Sequence, residues 1–410
     1  MPAPRLLVAG DDLSMSFFRD LSNRQHVWLI GTVIAMIAIV VVGWSLEPKD
    51  EEIGPFSRNL TIRQIAPQIG TTGFAIAKEL RLSREVDKDT PLAELGIEQT
   101  ELDEVTAHLL SHRGRTVKYY VFAALSLFGF VWLTRLGRPD GSPNSERTAW
   151  YPRAPYIAAL LLAVVVCGFA LGKSPNPMEG AVKLFKGMVG LQPSISAVVF
   201  AFAFFVGLAI VGNKLICGWA CPFGALQELF YSLPVLNRLK RKKVPHGVSN
   251  TIRGGLFVLM LLILFGLVGG KKGFVIYHFV NPFNLFNLRF ESPTILLTVV
   301  VTLVAALAIY RPFCQLLCPF GFVSWLAERI SLVRVRVDLN RCNACGACAR
   351  ACPTQSAEHT VNRKIFGADC YSCARCLNVC PEEAIAYRCA LGSSVSETDS
   401  VAELSSGKNE

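Results

Sequence analysis

The sequence predicts a multi-pass α-helical membrane protein of about six transmembrane helices, followed by a small cysteine-rich α+β domain. Three observations predict it. Of the 410 residues, 52% are hydrophobic, too many for an ordinary soluble domain. The excess is gathered in uncharged runs: Val27–Leu46, Tyr119–Leu133, Tyr156–Leu171, Ile195–Val211, Leu256–Val268 and Ile295–Tyr310. Beyond the last run, eight cysteines fall into two identically spaced groups.

Residues 1–26 read as a short polar arm. The run 27–46 is long enough to cross a bilayer alone. It is too long for the apolar core of a cleaved leader, and no small-residue cleavage site follows it, so it is expected to stay as an anchor. Residues 47–118 form a small helical insert. Ile62, Ile65, Ala66 and Ile69, then Phe74, Ile76, Ala77 and Leu80, have helical spacing on either side of Gly70-Thr71-Thr72-Gly73. A third helix is expected from Thr100, with Asp103 as its capping partner, burying Leu102, Val105, Leu109 and Leu110. The stretch from Thr61 to Gly70 resembles the opening of a helix-turn-helix, but a three-helix packing module has the same periodicity. His108 and His112 stand one helical turn apart; two histidines without a third ligand are ordinarily solvated.

Residues 119–136 are the second span. Two copies of one membrane hairpin follow, at 155–232 and 253–330. In the first, Asn176-Pro177-Met178 leads to Cys217-Gly-Trp-Ala-Cys221-Pro222-Phe223-Gly224; in the second, Asn281-Pro282-Phe283 leads to Cys314-Gln-Leu-Leu-Cys318-Pro319-Phe320-Gly321. Repeats inserted with the same orientation are related by an axis along the membrane normal. The two C-x3-C-P-F-G motifs are therefore expected to emerge at one face, opposite each other. Each pair puts two sulfurs on one helical face, and the proline can open the next helix. Three readings fit these four cysteines: thiolates on one metal centre, redox-active or copper-binding thiols, or structural thiols at a tight turn. The Asn-Pro stretches are expected at the opposite face. Their Val182, Phe185 and Met188, and Phe283, Phe286 and Leu288, form an apolar interfacial groove that can admit a quinone ring.

Within 333–389, Cys342, Cys345, Cys348 and Cys352-Pro353, then Cys370, Cys373, Cys376 and Cys380-Pro381, write C-x2-C-x2-C-x3-C-P twice. This is the ligand pattern of a ferredoxin with two [4Fe-4S] clusters, in which the fourth cysteine of each motif serves the other cluster. One cluster is then expected on Cys342, Cys345, Cys348 and Cys380, the other on Cys370, Cys373, Cys376 and Cys352. A zinc site also takes four ligands but needs neither the interleaved third cysteine nor the trailing proline. Cys167 and Cys389 read as unligated thiols. No histidine lies in the middle of a predicted span, so no b-type haem is expected. Residues 390–410 read as a disordered tail.

The net charge of +10 follows the topology. Arg238, Lys240, Arg241, Lys242 and Lys243 form the densest basic run, and the positive-inside rule puts it in the cytoplasm. Both termini, the loop with Arg138, Arg147 and Arg153, and the cluster domain then share that side, while the insert lies outside with Lys271 and Lys272. A nucleic-acid footprint would need a basic face on a soluble domain, so no nucleic-acid partner is expected. Fourteen cysteines suit a reducing compartment.

Paired C-x3-C-P motifs after membrane hairpins, followed by a dicluster module, resemble the NapH/MauN group of membrane ferredoxin-type proteins. They are also similar to the membrane part of NosR and to the copper reductase CcoG. The resemblance covers residues 150–388 and implies a bacterial inner-membrane protein, with Cys217, Cys221, Cys314 and Cys318 at the family's C-x3-C-P positions. It implies electron transfer between the quinone pool and a partner redox enzyme. The alternative is a cupric reductase or metalloenzyme assembly factor using the C-x3-C-P thiols. Two extra N-terminal helices and the insert depart from the NapH pattern, at the place where a different partner would dock.

Overall fold

A computed structural model of the protein describes residues 23–45, 55–69, 73–82, 86–111, 116–136, 154–189, 195–236, 239–241, 243–268, 275–288, 292–364, 367 and 369–389. Most of the N-terminal arm, the 390–410 tail, His112, the His108 side chain and the basic residues of the 137–153 and 269–274 segments lie outside these.

Among the described residues, four helices are long and apolar enough to cross a membrane: His26–Ser45, Val117–Arg135, Ile195–Gly212 and His246–Leu264. Ala154–Ala170 and Pro293–Ala306, also expected as spans, are shorter apolar helices. The run expected from Leu256 begins ten residues earlier, at His246, because Ser249 and Arg253 turn inward and are buried. A window of uncharged residues cannot detect that half of the helix. Gly266, with φ 75°, follows the end of this helix at Leu264, so Val268 lies beyond it.

The N-terminal helix α1 (Asn23–Ser45) packs along α5 (Val117–Val131), which continues as a π-helical turn over Trp132–Leu136. Most of α1 remains exposed apolar surface, as for Ile34 and Val41, which suits lipid. Between them, α2 (Ile62–Ile69), α3 (Gly73–Glu79) and α4 (Gln99–Ser111) close a separate core. It takes in Ile62, Ile65, Ile69, Ile76, Leu80 and Leu102. The capping pair sits elsewhere than expected. Thr61 and Gln64 bond reciprocally, the Gln64 N–H to Thr61 Oγ1 at 3.3 Å and the Thr61 N–H to Gln64 Oε1 at 3.0 Å. The third helix starts at Gln99, and Asp103 accepts from the Gln99 side chain at 2.9 Å.

The repeat is visible element by element. Helix α6 (Ala154–Leu162), extended by a π-helical stretch to Ala170, precedes α7 (Pro177–Met188), α8 (Ile195–Gly212), a π turn over Ile216–Ala220 and α9 (Pro222–Ser232). In the second copy α10 (His246–Leu264) precedes a 3₁₀ turn over Pro282–Asn287, α11 (Pro293–Ala306), α12 (Pro312–Leu316) and α13 (Pro319–Ala327). Asparagine caps both short elements. Asn176 Oδ1 accepts from the Glu179 N–H at 2.8 Å, and Asn281 Oδ1 from the Phe283 N–H at 3.1 Å.

The C-terminal domain hangs on an antiparallel pair, β1 (Val333–Val337) and β2 (Ile385–Cys389), with Val335 opposite Tyr387. Among the described residues between them are three short helices, α14 (Ala347–Ala351), α15 (Ser356–Val361) and α16 (Arg375–Val379). The two cysteine motifs share a backbone. Ala344 and Gly346 in the first, and Ser372 and Ala374 in the second, all have positive φ, wrapping each loop inward.

Candidate functional site

Cys352, Cys370, Cys373 and Cys376 line one cavity, an empty space of about 430 Å³ that is partly open to solvent. Cys352 closes the first motif in sequence but faces the second in space. Cys348 has Cys380, Cys342 and Cys345 as its neighbouring thiols. Cys380 Sγ accepts the Ala384 N–H at 3.3 Å. Cys389 is exposed at the end of β2, and Cys167 is fully buried; neither lines these cavities.

Cys217, Cys221, Cys314 and Cys318 line a second cavity, together with Met178, Phe283 and Tyr371. Each copy reaches into the other. Gln227 Nε2 donates to Cys314 Sγ at 3.3 Å, and Ser324 Oγ lies 4.0 Å from Cys217 Sγ. The two C-x3-C-P motifs face each other across this cavity, and α9 packs against both α6 and its π-helical extension. Asn213 and Lys214, at φ 54° and 62°, and Arg311, at φ 44°, turn the chain back after α8 and α11. One expectation is corrected: the six apolar residues of the Asn-Pro stretches do not line a single exposed groove. Pro177, Met178 and Phe283 reach the cysteine cavity, and Val182, Phe283 and Phe286 are buried. Met188 and Leu288 alone of the six residues are exposed. Side-chain caps on Asn176 and Asn281 satisfy the backbone of these elements within the protein, which apolar spacing alone cannot foretell.

Tyr371 joins the two cavities, lining both. The carbonyl of Tyr371 presses on Gly218, where any Cβ would collide with it. Trp219 Nε1 donates to the Ser372 carbonyl at 2.9 Å, and the Tyr387 hydroxyl to the Gly212 carbonyl at 2.7 Å. The second cysteine motif is thus docked onto the first C-x3-C loop.

Two buried ion clusters flank this contact. Glu228 accepts from Arg311 at 2.9 Å and from Arg375 at 2.6 Å. Asp369 pairs with Lys214 and, at 2.6 Å, with Arg253. Burial pushes the Asp369 carboxyl up, but Lys214 and Arg253 outweigh it and hold it at about 2. Burial raises Glu328 to about 7 despite Lys214 nearby. Arg311 also donates to the carbonyls of Cys217 and, at 3.0 Å, Gly218, fixing the loop that carries the first thiol. Sequence reasoning missed Lys214 and Arg311. Both stand three residues before the first cysteine of their copy, so aligning the copies beyond their cysteines would have exposed them.

A family described as "4Fe-4S binding domain" matches residues 195–243 and 292–338, once on each repeat copy. A second family of the same description matches 335–356. The ferredoxin-type protein NapH of Haemophilus influenzae is 28% identical over 35% of this chain and 49% of its own length. The methylamine utilization ferredoxin-type protein MauN of Methylobacillus flagellatus is 26% identical over 42% of this chain and 62% of its own. The regulatory protein NosR of Pseudomonas aeruginosa is 31% identical over 36% of this chain and 21% of its own. The chain thus spans about half the length of NapH and less of NosR. No solved structure matches. By motifs, family matches and relatives together, this apolar, helical membrane chain carries 4Fe-4S binding domains and resembles the NapH and MauN ferredoxin-type proteins.

Proposed function

We propose that the protein is an integral inner-membrane iron–sulfur electron-transfer protein that passes electrons between the quinone pool and a partner redox enzyme. Cys342, Cys345, Cys348 and Cys380 would hold one [4Fe-4S] cluster, and Cys352, Cys370, Cys373 and Cys376 the other, in a cytoplasmic domain. When bound, such clusters supply one-electron transfer, which suits splitting the two electrons of a quinol. The observation that carries the reading is the cavity lined by Cys352, Cys370, Cys373 and Cys376. It gathers three closely spaced thiols with a fourth from the other motif, the donor set that a two-cluster ferredoxin needs.

The chain's own residues support passage between its two parts. Tyr371 and Trp219 fill the space between the cysteine sets and are buried, excluding water. Gly218 permits backbone contact there. The ion clusters of Glu228 and Asp369 hold helices α9 and α10 against the cysteine loops.

The test uses anaerobically purified, oxidised protein. Adding a quinol should bleach the broad visible absorbance of the clusters. Reduction of Cu(II) by the reduced protein, with no response to quinol or quinone, would instead favour the cupric-reductase alternative.

A further inference from the structure

We propose that Cys217, Cys221, Cys314 and Cys318 together hold a third iron–sulfur cluster of [4Fe-4S] type, shared by the two repeat copies. The proposal deepens the electron-transfer reading and rests on it. Four thiols, two from each copy, line one cavity, as Cys352, Cys370, Cys373 and Cys376 line another, and Tyr371 lines both.

Among the described residues that line this cavity, the four cysteines are joined by no histidine, aspartate or glutamate, and an all-sulfur donor set is the one that iron–sulfur clusters take.

The surroundings suit an anionic centre. The Gly321 N–H meets Cys318 Sγ at 3.4 Å and Gln227 meets Cys314 at 3.3 Å. Gly224 offers its backbone N–H to Cys221, as Gly321 does in the other copy. Hydrogen bonds to cluster sulfurs are one of the levers that set potential. The adjoining layer buries Lys214, Arg253, Arg311 and Arg375 against Glu228, Glu328 and Asp369. Arg311 among them reaches the Cys217 carbonyl, so positive charge stands beside these thiols. Both matches to the "4Fe-4S binding domain" description fall on the segments that carry these cysteines.

The experiment counts iron and acid-labile sulfide in the full-length protein purified anaerobically, with Mössbauer spectra of the wild type as a count that needs no variant. Three clusters correspond to about twelve irons per chain. The variant Cys217→Ser/Cys221→Ser/Cys314→Ser/Cys318→Ser should lose about a third of them and keep the rest, at about eight. Iron of about eight in wild type by both methods, unchanged in the fourfold variant, overturns the third cluster and leaves the ferredoxin module standing. Iron of about four, insensitive to Cys348→Ser but lost with the four serines, supports the third cluster and sinks the module instead. Stoichiometric zinc or copper that disappears with the four serines overturns the iron assignment at this site.

Discussion

Gln227 of the first repeat copy donates its side-chain N–H to Cys314 Sγ of the second at 3.3 Å. Ser324 stands at the equivalent position of the second copy, 97 residues on, and its hydroxyl oxygen lies 4.0 Å from Cys217 of the first. The likeness extends to the backbone. The Cys221 N–H donates to the Ile216 carbonyl at 2.8 Å, and the Cys318 N–H to the Phe313 carbonyl at 2.9 Å. Each half completes the thiol environment of the other, so neither C-x3-C-P motif is a site by itself.

On this reciprocity we propose that the four cysteines act as one unit. Serine at Cys217 or Cys314 alone should cost nearly as much electron transfer as all four serines together, because groups that act as a unit are strongly non-additive. Quinol-driven reduction of an added acceptor measures it. The signals of the ferredoxin module should persist, since its eight cysteines are untouched. Additive losses from the two pairs, or full turnover with all four serines, would return these cysteines to a structural role at the turn.

A second expectation concerns Gly218. Its missing side chain lets the Tyr371 carbonyl reach the first C-x3-C loop. Alanine there should destabilise the protein by about 1–3 kcal/mol, the range for overpacking a close contact. Gly255 makes the control: it sits within α10 with nothing near the place of a Cβ. Alanine there should be neutral or stabilise by about 0.4–1 kcal/mol, since it restricts the unfolded chain. Thermal unfolding in detergent compares them, and equal midpoints would refute the close-approach account.

The sequence carried much of this design in its periodicities. The cysteine spacings, the hairpin repeat and the insert's core residues Ile62, Ile65 and Leu102 were all legible, because each is a local pattern. Less local features were not. Arg253 is a charge inside an apolar helix, and its partner Asp369 lies 116 residues away. Tyr371 between two cysteines reads as filler until the fold stacks both cavities against it. Phe283 was expected in an interfacial groove, yet its capped half-element carries it to the cysteines. In each case the deciding partner lies far along the chain, beyond the reach of local spacing.

Topology is a third expectation, and it rests on the basic run from Arg238 to Lys243. An alkaline phosphatase fusion near Glu94 should be active, because the insert is expected outside. One near Lys242 should be inactive, held on the positive side. Inverted activities would move the cysteine domain out of the cytoplasm and remove the compartment argument for its clusters.

The last expectation concerns Glu228, which is fully buried between Arg311 and Arg375. Arg311 belongs to the second membrane copy and Arg375 to the cysteine domain, so this one carboxylate joins three parts of the chain. Glu228→Gln keeps the shape but strips the countercharge from two buried guanidinium groups. Breaking a buried pair in this way costs about 3–5 kcal/mol, chiefly through the charge left behind. Adding Arg375→Met removes one of the stranded charges, so the double variant should lose less stability than the two single losses combined. Arg311 should not be rescued alike, because it also holds the carbonyls of Cys217 and Gly218. A double-mutant cycle read by thermal unfolding separates the cases. Strict additivity for Glu228 and Arg375 would mean that the carboxylate acts on Arg311 alone, and that the cysteine domain is held by Asp369 and the Trp219–Ser372 bond.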